Sequence, residues 1–136
     1  MRFEKFVSCW LPVLVWAAVI FYLSSVPNLR ASTNPYWDEI FRSCLHGIFY
    51  AIFALLWLRP LKPLSRLKRY SGAVVVGFLY ALSDELHQRF VPTRAFQIKD
   101  LVIDTGGLLA GVVMAAVVLP KAPEGIRSWA QKLDLV

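Results

Sequence analysis

The sequence predicts an all-α, polytopic membrane protein folded as a four-helix transmembrane bundle. The 136 residues are 57% hydrophobic and only 18% charged, and the mean hydropathy is +0.53, which is too apolar for an ordinary soluble domain. The apolar residues also form four long blocks instead of recurring on one face of shorter helices. Charged or proline-rich connectors separate these blocks, as expected for successive membrane spans.

Each apolar block is close to the roughly 20 residues that cross a hydrocarbon core about 30 Å thick. The blocks are residues 6–24, 40–58, 71–86 and 101–119. The third block is the shortest and least apolar, and it ends in ionisable residues. Because charge facing lipid is costly, we expect that end to lie near the headgroups or among neighbouring helices.

Residues 1–120 are predicted to form the membrane domain and residues 121–136 a short cytoplasmic tail. In the tail, Ile126, Trp129 and Leu133 fall on one helical face, opposite Arg127 and Lys132. This pattern is typical of a helix that lies on a membrane surface.

The distribution of basic residues predicts the orientation. Short cytoplasmic segments are enriched in lysine and arginine, and one side of this chain carries most of them: Arg2, Lys5, Arg59, Lys62, Arg66, Lys68, Arg69, Lys121, Arg127 and Lys132. Both termini are therefore predicted to be cytoplasmic in a multi-pass protein of the cell membrane. The formal charge of +6 fits topology and anionic headgroups, so no nucleic-acid partner is predicted.

Polar residues gather at the opposite, outer side. Helical spacing places Asp84 and Gln88 on one face, and it does the same for His46 and Tyr50. All four helices can supply a polar group at a similar depth, and such groups within spans usually mark function. The predicted site comprises Ser24, His46, Tyr50, Asp84, Glu85, Gln88, Arg94 and Asp100.

Within this site, Asp84, Glu85 and His46 are the candidate catalytic residues, because carboxylates and imidazoles move protons. The candidate ligand-binding residues are Ser24, Tyr50, Gln88, Arg94 and Asp100. An arginine can bind a phosphate bidentately, so a phosphate-bearing lipid headgroup is the expected ligand. No metal-ligand spacing is present, and neither a metal nor a cofactor is predicted.

Structural roles remain open as alternatives for several of these residues. Asp100 can be the N-cap of helix 4, and Asp84 can form an ion pair with Arg94. His46 can make an interhelical hydrogen bond, and Ser24 can bond back to its own helix. A serine-histidine-aspartate relay can also be drawn, although no nucleophile elbow accompanies it.

Several motifs together resemble the VanZ-like family of small membrane proteins. They are Leu23-Ser24-Ser25-x-Pro27, His46-x-x-x-Tyr50, Ser83-Asp84-Glu85-x-x-Gln88-x-x-x-Pro92-x-Arg94, and Asp100 with Gly107 and Gly111. The resemblance implies a role at the cell envelope and, as a further implication, lowered sensitivity to a teicoplanin-type glycopeptide. One position departs from the family pattern, which has asparagine where this chain has Asp104.

The leading hypothesis is a VanZ-like protein that binds or acts on a cell-wall precursor or lipid carrier at the outer leaflet. Its expected partners are membrane lipid and either a lipid-linked precursor or a glycopeptide. The alternative is a non-enzymatic accessory or binding module whose polar cluster is structural, with Gly107 and Gly111 serving helix packing. A transporter is a third hypothesis, which would require oligomerisation to enclose a path.

Overall fold

The computed structural model describes residues 3–27 and 32–135 and is helical throughout its regular structure, with no strand among those residues. The prediction that involves Arg2 lies outside the described residues. Four long helices, α1 to α4, are followed by a short α5, so the all-α prediction is confirmed. The helices are α1 (Phe3–Ser25), α2 (Pro35–Trp57), α3 (Arg66–Gln88), α4 (Ile98–Val113) and α5 (Glu124–Lys132).

Three helical stretches are long and apolar enough to cross a membrane, namely Phe6–Ser25, Pro35–Trp57 and Ile98–Lys121. The last stretch extends α4 through a π-helical turn (Met114–Val118) and a 3-10 turn (Leu119–Lys121). At 23 residues α3 is as long as α1 and α2, but charged residues at both ends make it less apolar. Its acidic end is buried within the bundle, which is one of the two placements expected for it.

Consecutive long helices run in opposite directions, which gives the bundle two distinct ends. Ser24, at the end of α1, contacts Asp84 near the end of α3. Arg69, near the start of α3, donates to the carbonyl of Leu58 just after α2. We refer to the end that contains Ser24 and Asp84 as the site end, and to the end that contains Leu58, Arg69 and α5 as the tail end.

The closest backbone approach joins α2 and α4, which run parallel. A Cβ added at Gly107 would overlap the carbonyl group of Gly47, and one added at Gly111 would overlap that of Ala51. Small residues at this spacing let two membrane helices come into backbone contact. The packing role expected for Gly107 and Gly111 is thus confirmed, and this contact aligns the parts of α2 and α4 that carry the site.

Gly107→Ala is expected to destabilise the protein by about 1–3 kcal/mol, because overpacking forces backbones or side chains to shift. The neighbouring substitution Gly106→Ala is the matched control, since nothing lies within 4 Å of a Cβ at that position. The thermal midpoint of each purified variant measures the difference. Equal midpoints for the two variants would contradict the close α2–α4 contact.

The tail forms α5 and folds back against the bundle. Ala130 and Leu135 are buried and pack with Leu119, whereas Ile126 is 50% exposed and Trp129 57% exposed. An exposed tryptophan beside charged residues suits a membrane interface. The placement of this tail on a membrane surface stays a prediction.

Candidate functional site

Asp84 is the centre of a buried hydrogen-bond cluster between α1 and α3. The Ser24 hydroxyl donates to Asp84 Oδ1 over 2.6 Å, and the Gln88 amide donates to Asp84 Oδ2 over 3.3 Å. All three side chains are buried. Since Gln88 lies one helical turn after Asp84, the local sequence of α3 supplies one donor and the end of α1 supplies the other.

Glu85 faces a different helix from Asp84. Its Oε2 accepts the backbone N–H of Gln97 over 2.9 Å, while its Oε1 is buried with no hydrogen-bond partner among the described residues. Gln97 is the N-cap of α4, so Glu85 holds the start of α4 against the end of α3. The two adjacent acids therefore connect α3 to α1 and to α4.

Asp100 lies in the first turn of α4 and is not its N-cap, so the capping role considered for it is wrong. The capping position belongs to Gln97, three residues earlier. Asp100 Oδ2 instead lies 3.7 Å from an Nη of Arg42 on α2. This long ion pair joins α2 to α4 at the outermost turn of the site.

His46 and Asp104 form a second polar pair, between α2 and α4. His46 Nδ1 lies 3.0 Å from Asp104 Oδ1, as the interhelical role for this histidine predicted. The other oxygen, Asp104 Oδ2, and the nearby Tyr50 hydroxyl are buried without hydrogen-bond partners in the described chain. Buried polar atoms normally have a partner, so both atoms are available to a water molecule or a ligand.

Arg94 binds the end of α1 instead of an acid. Its Nη2 donates to the carbonyls of Leu23 and Val26, over 3.0 and 3.2 Å, and its Nε also donates to Val26. No ion pair with Asp84 forms within residues 3–27 and 32–135, so that expectation is wrong. Burial, together with the charge of Arg42, lowers the pKa of Arg94 from its ordinary value. A guanidinium still remains cationic at neutral pH.

Arg94→Lys is expected to destabilise the fold by about 1.5–3 kcal/mol, the usual loss for hydrogen bonds made by a charged group. A lysine keeps the charge, but it lacks the planar guanidinium whose N–H groups donate to both carbonyls. Arg89→Lys is the control, since Arg89 is exposed on the same connector. Thermal unfolding measures both variants, and an unchanged midpoint for Arg94→Lys would show that the carbonyl contacts contribute little.

The described residues do not assemble a serine-histidine-aspartate relay. Ser24 pairs with Asp84, whereas His46 pairs with Asp104. Ser25 lies 3.0 Å from His87 Nε2, but its hydroxyl donates to the carbonyl of Phe21. Ser24 Oγ also lies 3.0 Å from that carbonyl, although its one proton makes the shorter bond to Asp84. No group of three histidine, cysteine or acidic side chains converges on a metal position in this part of the chain either.

Two cavities open at the site end, and they share Arg42 and Arg94. The outer cavity has a volume of about 360 Å³ and a mainly polar wall, and it is lined by Ser32, Thr33, Pro35, Asp38, Glu39, Arg42, Ser43, Thr93, Arg94, Gln97, Lys99 and Asp100. The membrane cavity has a volume of about 210 Å³ and a mainly apolar wall, and it is lined by Ile20, Leu23, Ser24, Arg42, Leu45, His46, Phe49, Tyr50, Asp84 and Arg94.

The cavities separate the predicted site residues into two groups. Six of the eight line a cavity: Ser24, His46, Tyr50, Asp84, Arg94 and Asp100. Glu85 and Gln88 line neither and act behind the wall through their hydrogen bonds. The prediction omitted Arg42, which lines both cavities. Its position one turn before His46, on the same face of α2, is a signal that could have identified it.

A comparison with known protein families assigns the chain to one of them. A family model described as VanZ/LLP1 matches residues 9–119, a range that includes every predicted site residue. The chain belongs to the VanZ/LLP1 family. Neither the comparison with curated proteins nor the comparison with solved structures found a match. In this VanZ/LLP1 protein, Asp104 supplies the partner of His46.

Proposed function

We propose that this VanZ/LLP1 protein binds an anionic amphiphile of the cell envelope, of the lipid-carrier or lipid-linked cell-wall precursor class. The observation that carries the proposal is the junction of a polar and an apolar cavity at two arginines, Arg42 and Arg94. An amphiphile has a charged headgroup next to an apolar chain. The outer cavity would receive the headgroup, and the membrane cavity would receive the adjoining part of the chain.

The membrane cavity suits a segment of the apolar chain. Ile20 and Leu23 of α1 face Leu45 and Phe49 of α2 across it. Leu45 is 47% exposed on the outer surface of the bundle, so the cavity borders the region that lipid chains would fill. A chain segment that enters between α1 and α2 would bury apolar surface without crossing a polar barrier.

The outer cavity suits the headgroup. Among the described residues, the one ion pair of Arg42 is the long contact with Asp100, so its guanidinium can bind a phosphate with little loss. Arg94 is held by carbonyls of α1 and adds a fixed positive charge at the junction. The Lys99 charge is balanced by Glu39, with which it pairs. Asp38 and Asp100 also line this cavity and offset the charges of the two arginines. Recognition of an anion would therefore depend on the directed N–H donors of Arg42 and Arg94 and not on a net positive charge.

Asp84 lies at the inner side of this junction with the Ser24 hydroxyl on it. A carboxylate can accept a hydrogen bond from a ligand hydroxyl and so orient it, or it can take the proton of that hydroxyl. In the proposed function, Asp84 orients the polar part of the ligand, with Tyr50 as a second hydrogen-bonding group. Glu85 and Gln88 keep Asp84 and α4 in place.

The test is binding of a polyprenyl phosphate to the purified protein in zwitterionic nanodiscs. We expect binding to exceed that of the matching neutral polyprenol and of a short-chain alkyl phosphate by at least about tenfold each, because each analogue lacks one of the two recognised parts. Equal binding of the polyprenol would contradict the arginine junction. Equal binding of the alkyl phosphate would contradict the role of the membrane cavity.

A second candidate is a non-enzymatic accessory module whose polar cluster is structural. The observation that favours it is that Asp84, Glu85 and Arg94 all have partners within the protein. For such a module, conservative substitutions of these residues would lower the amount of folded protein in the membrane. They would not produce a folded protein with a specific loss of ligand binding.

A further inference from the structure

A third cavity lies at the tail end, on the opposite side of the bundle from the site. It is bounded by the connector before α3, the start of α3, the turns that follow α4, and α5, and its volume is about 500 Å³. We call it the basic cavity. Its lining residues are Lys62, Leu64, Arg66, Arg69, Tyr70, Ala116, Pro120, Arg127 and Gln131.

The basic cavity concentrates positive charge. Four of its lining residues are cationic, namely Lys62, Arg66, Arg69 and Arg127, and none is acidic. Asp134 pairs with Lys62, so it offsets one of these charges from outside the lining. The remaining three are guanidinium groups, whose planar donors match the oxygens of a phosphate.

The bundle holds two of these arginines in place through backbone contacts. Arg66 donates to the carbonyl of Ala116 in the π-helical turn over 3.2 Å. Arg69 donates to the carbonyl of Leu58 over 2.9 Å and to that of Asp134. Both are also within cation–π distance of the Tyr70 ring, at 5.7 and 5.9 Å from its centroid. The acceptors are carbonyl groups and an aromatic ring, so these contacts leave the charge of Arg66 uncompensated. The Asp134 carboxylate, which pairs with Lys62, also offsets part of the charge of Arg69.

Arg127 completes the cavity from α5. Within the described residues its side chain has no hydrogen bond or ion pair. Two apolar residues next to these arginines in the sequence are exposed: Leu67, beside Arg66, is 80% exposed, and Trp129, close to Arg127, is 57% exposed. An exposed tryptophan and leucine beside a basic cavity are typical of the depth at which lipid headgroups lie.

We propose that the basic cavity binds the phosphate headgroup of an anionic phospholipid, with Arg66 and Arg127 as its principal ligands from the protein. This site is independent of the function proposed above, because the two lie at opposite ends of the helices. A bound headgroup would bridge α3 and α5 and so attach the tail to the bundle. The lipid would compensate the guanidinium charges that the protein itself leaves unpaired.

The test counts phosphatidylglycerol that remains on the full-length protein after purification from mixed bilayers of phosphatidylglycerol and phosphatidylcholine. Purification in detergent dilutes away lipid that is only loosely associated with the protein surface. Lipid that remains therefore reports a formed site. Wild type is expected to retain phosphatidylglycerol over phosphatidylcholine by at least about tenfold, and Arg66→Gln with Arg127→Gln to lose that preference. Arg127→Gln alone removes no contact within the described protein, and it is expected to lower the amount of retained phosphatidylglycerol at least about fivefold.

The matched control is Lys121→Gln with Lys132→Gln, which removes two positive charges from the same end but outside the cavity. We expect this variant to retain the lipid within about twofold of wild type. Equal losses in the two double variants, or no preference in wild type, would overturn the proposal. Displacement by millimolar inorganic phosphate would also overturn it, because the site would then recognise free phosphate.

Discussion

Asp84→Asn is expected to weaken ligand binding at the site end strongly while leaving the protein in the membrane at its normal level. Asparagine preserves the size of the side chain, but its amide nitrogen cannot accept a hydrogen bond. Ser24 and Gln88 both donate to Asp84, so one of these bonds is lost and the negative charge disappears. We expect at least a tenfold loss of affinity, about 1.4 kcal/mol or more.

The cellular readout of Asp84→Asn is teicoplanin susceptibility, with the membrane abundance of each variant measured in parallel. If the protein lowers sensitivity to teicoplanin, as the family resemblance implies, the variant should lose that effect at equal abundance. Ser83→Ala is the matched control, since Ser83 is exposed and its hydroxyl donates to the carbonyl of Tyr80 in its own helix. Protection by both variants would contradict the role of Asp84, and absence of protection by wild type would remove the antibiotic consequence.

Arg42→Gln is expected to weaken polyprenyl phosphate binding by about 10- to 100-fold, the range for a hydrogen bond to a charged group. Its effect on stability should be small, about 1 kcal/mol or less, since the ion pair with the buried Asp100 is long and its arginine side is partly exposed. The side chain of Arg42 is 38% exposed, and its Nη lies 3.7 Å from Asp100. This variant therefore separates ligand binding from folding better than any change at Arg94.

Isothermal titration in nanodiscs measures the affinity, and thermal unfolding measures the stability. Arg89→Gln is the control, because it removes an exposed positive charge near the same end without touching either cavity. A similar loss of affinity in both variants would indicate general electrostatic attraction. Full affinity in Arg42→Gln would contradict the proposed junction of the cavities.

Much of the fold could be predicted from the sequence because apolar blocks of membrane length have few alternatives. Three of the four predicted spans meet the length and composition of a membrane helix, and α3 does not. A sequence block gives the average character of a helix but not which face its neighbours cover. α3 buries Ala73, Gly77 and Ala81 together with its acidic end, and this can be seen only once α1, α2 and α4 are in place.

The convergence of polar groups was also predictable, whereas their pairing was not. Helical spacing placed Asp84 with Gln88, and His46 with Tyr50, on common faces. The pairs that formed, Ser24 with Asp84 and His46 with Asp104, cross between helices. Such pairs depend on helix rotation and depth. The close contact of α2 with α4 sets these two parameters for His46 and Asp104.

The partner of Arg94 could not be predicted from the sequence either. Its type and position suggested an acidic partner or an anionic ligand. A helix end leaves backbone carbonyls short of partners. Arg94 donates to those of Leu23 and Val26, the first of which also accepts the N–H of Val26. A carbonyl acceptor carries no signature in the sequence, so this partner could not have been inferred from residue types.

The most direct test of the central claim is photo-crosslinking from inside the membrane cavity. A photoreactive leucine analogue replaces Leu45, which lines that cavity, and in a second sample replaces Leu79, an exposed residue of α3 outside the three cavities. Crosslinked lipids from whole cell envelopes are then identified by mass spectrometry. The proposed function predicts a phosphorylated envelope carrier or precursor at Leu45 and only bulk phospholipid at Leu79. The same bulk phospholipids at both positions would contradict it.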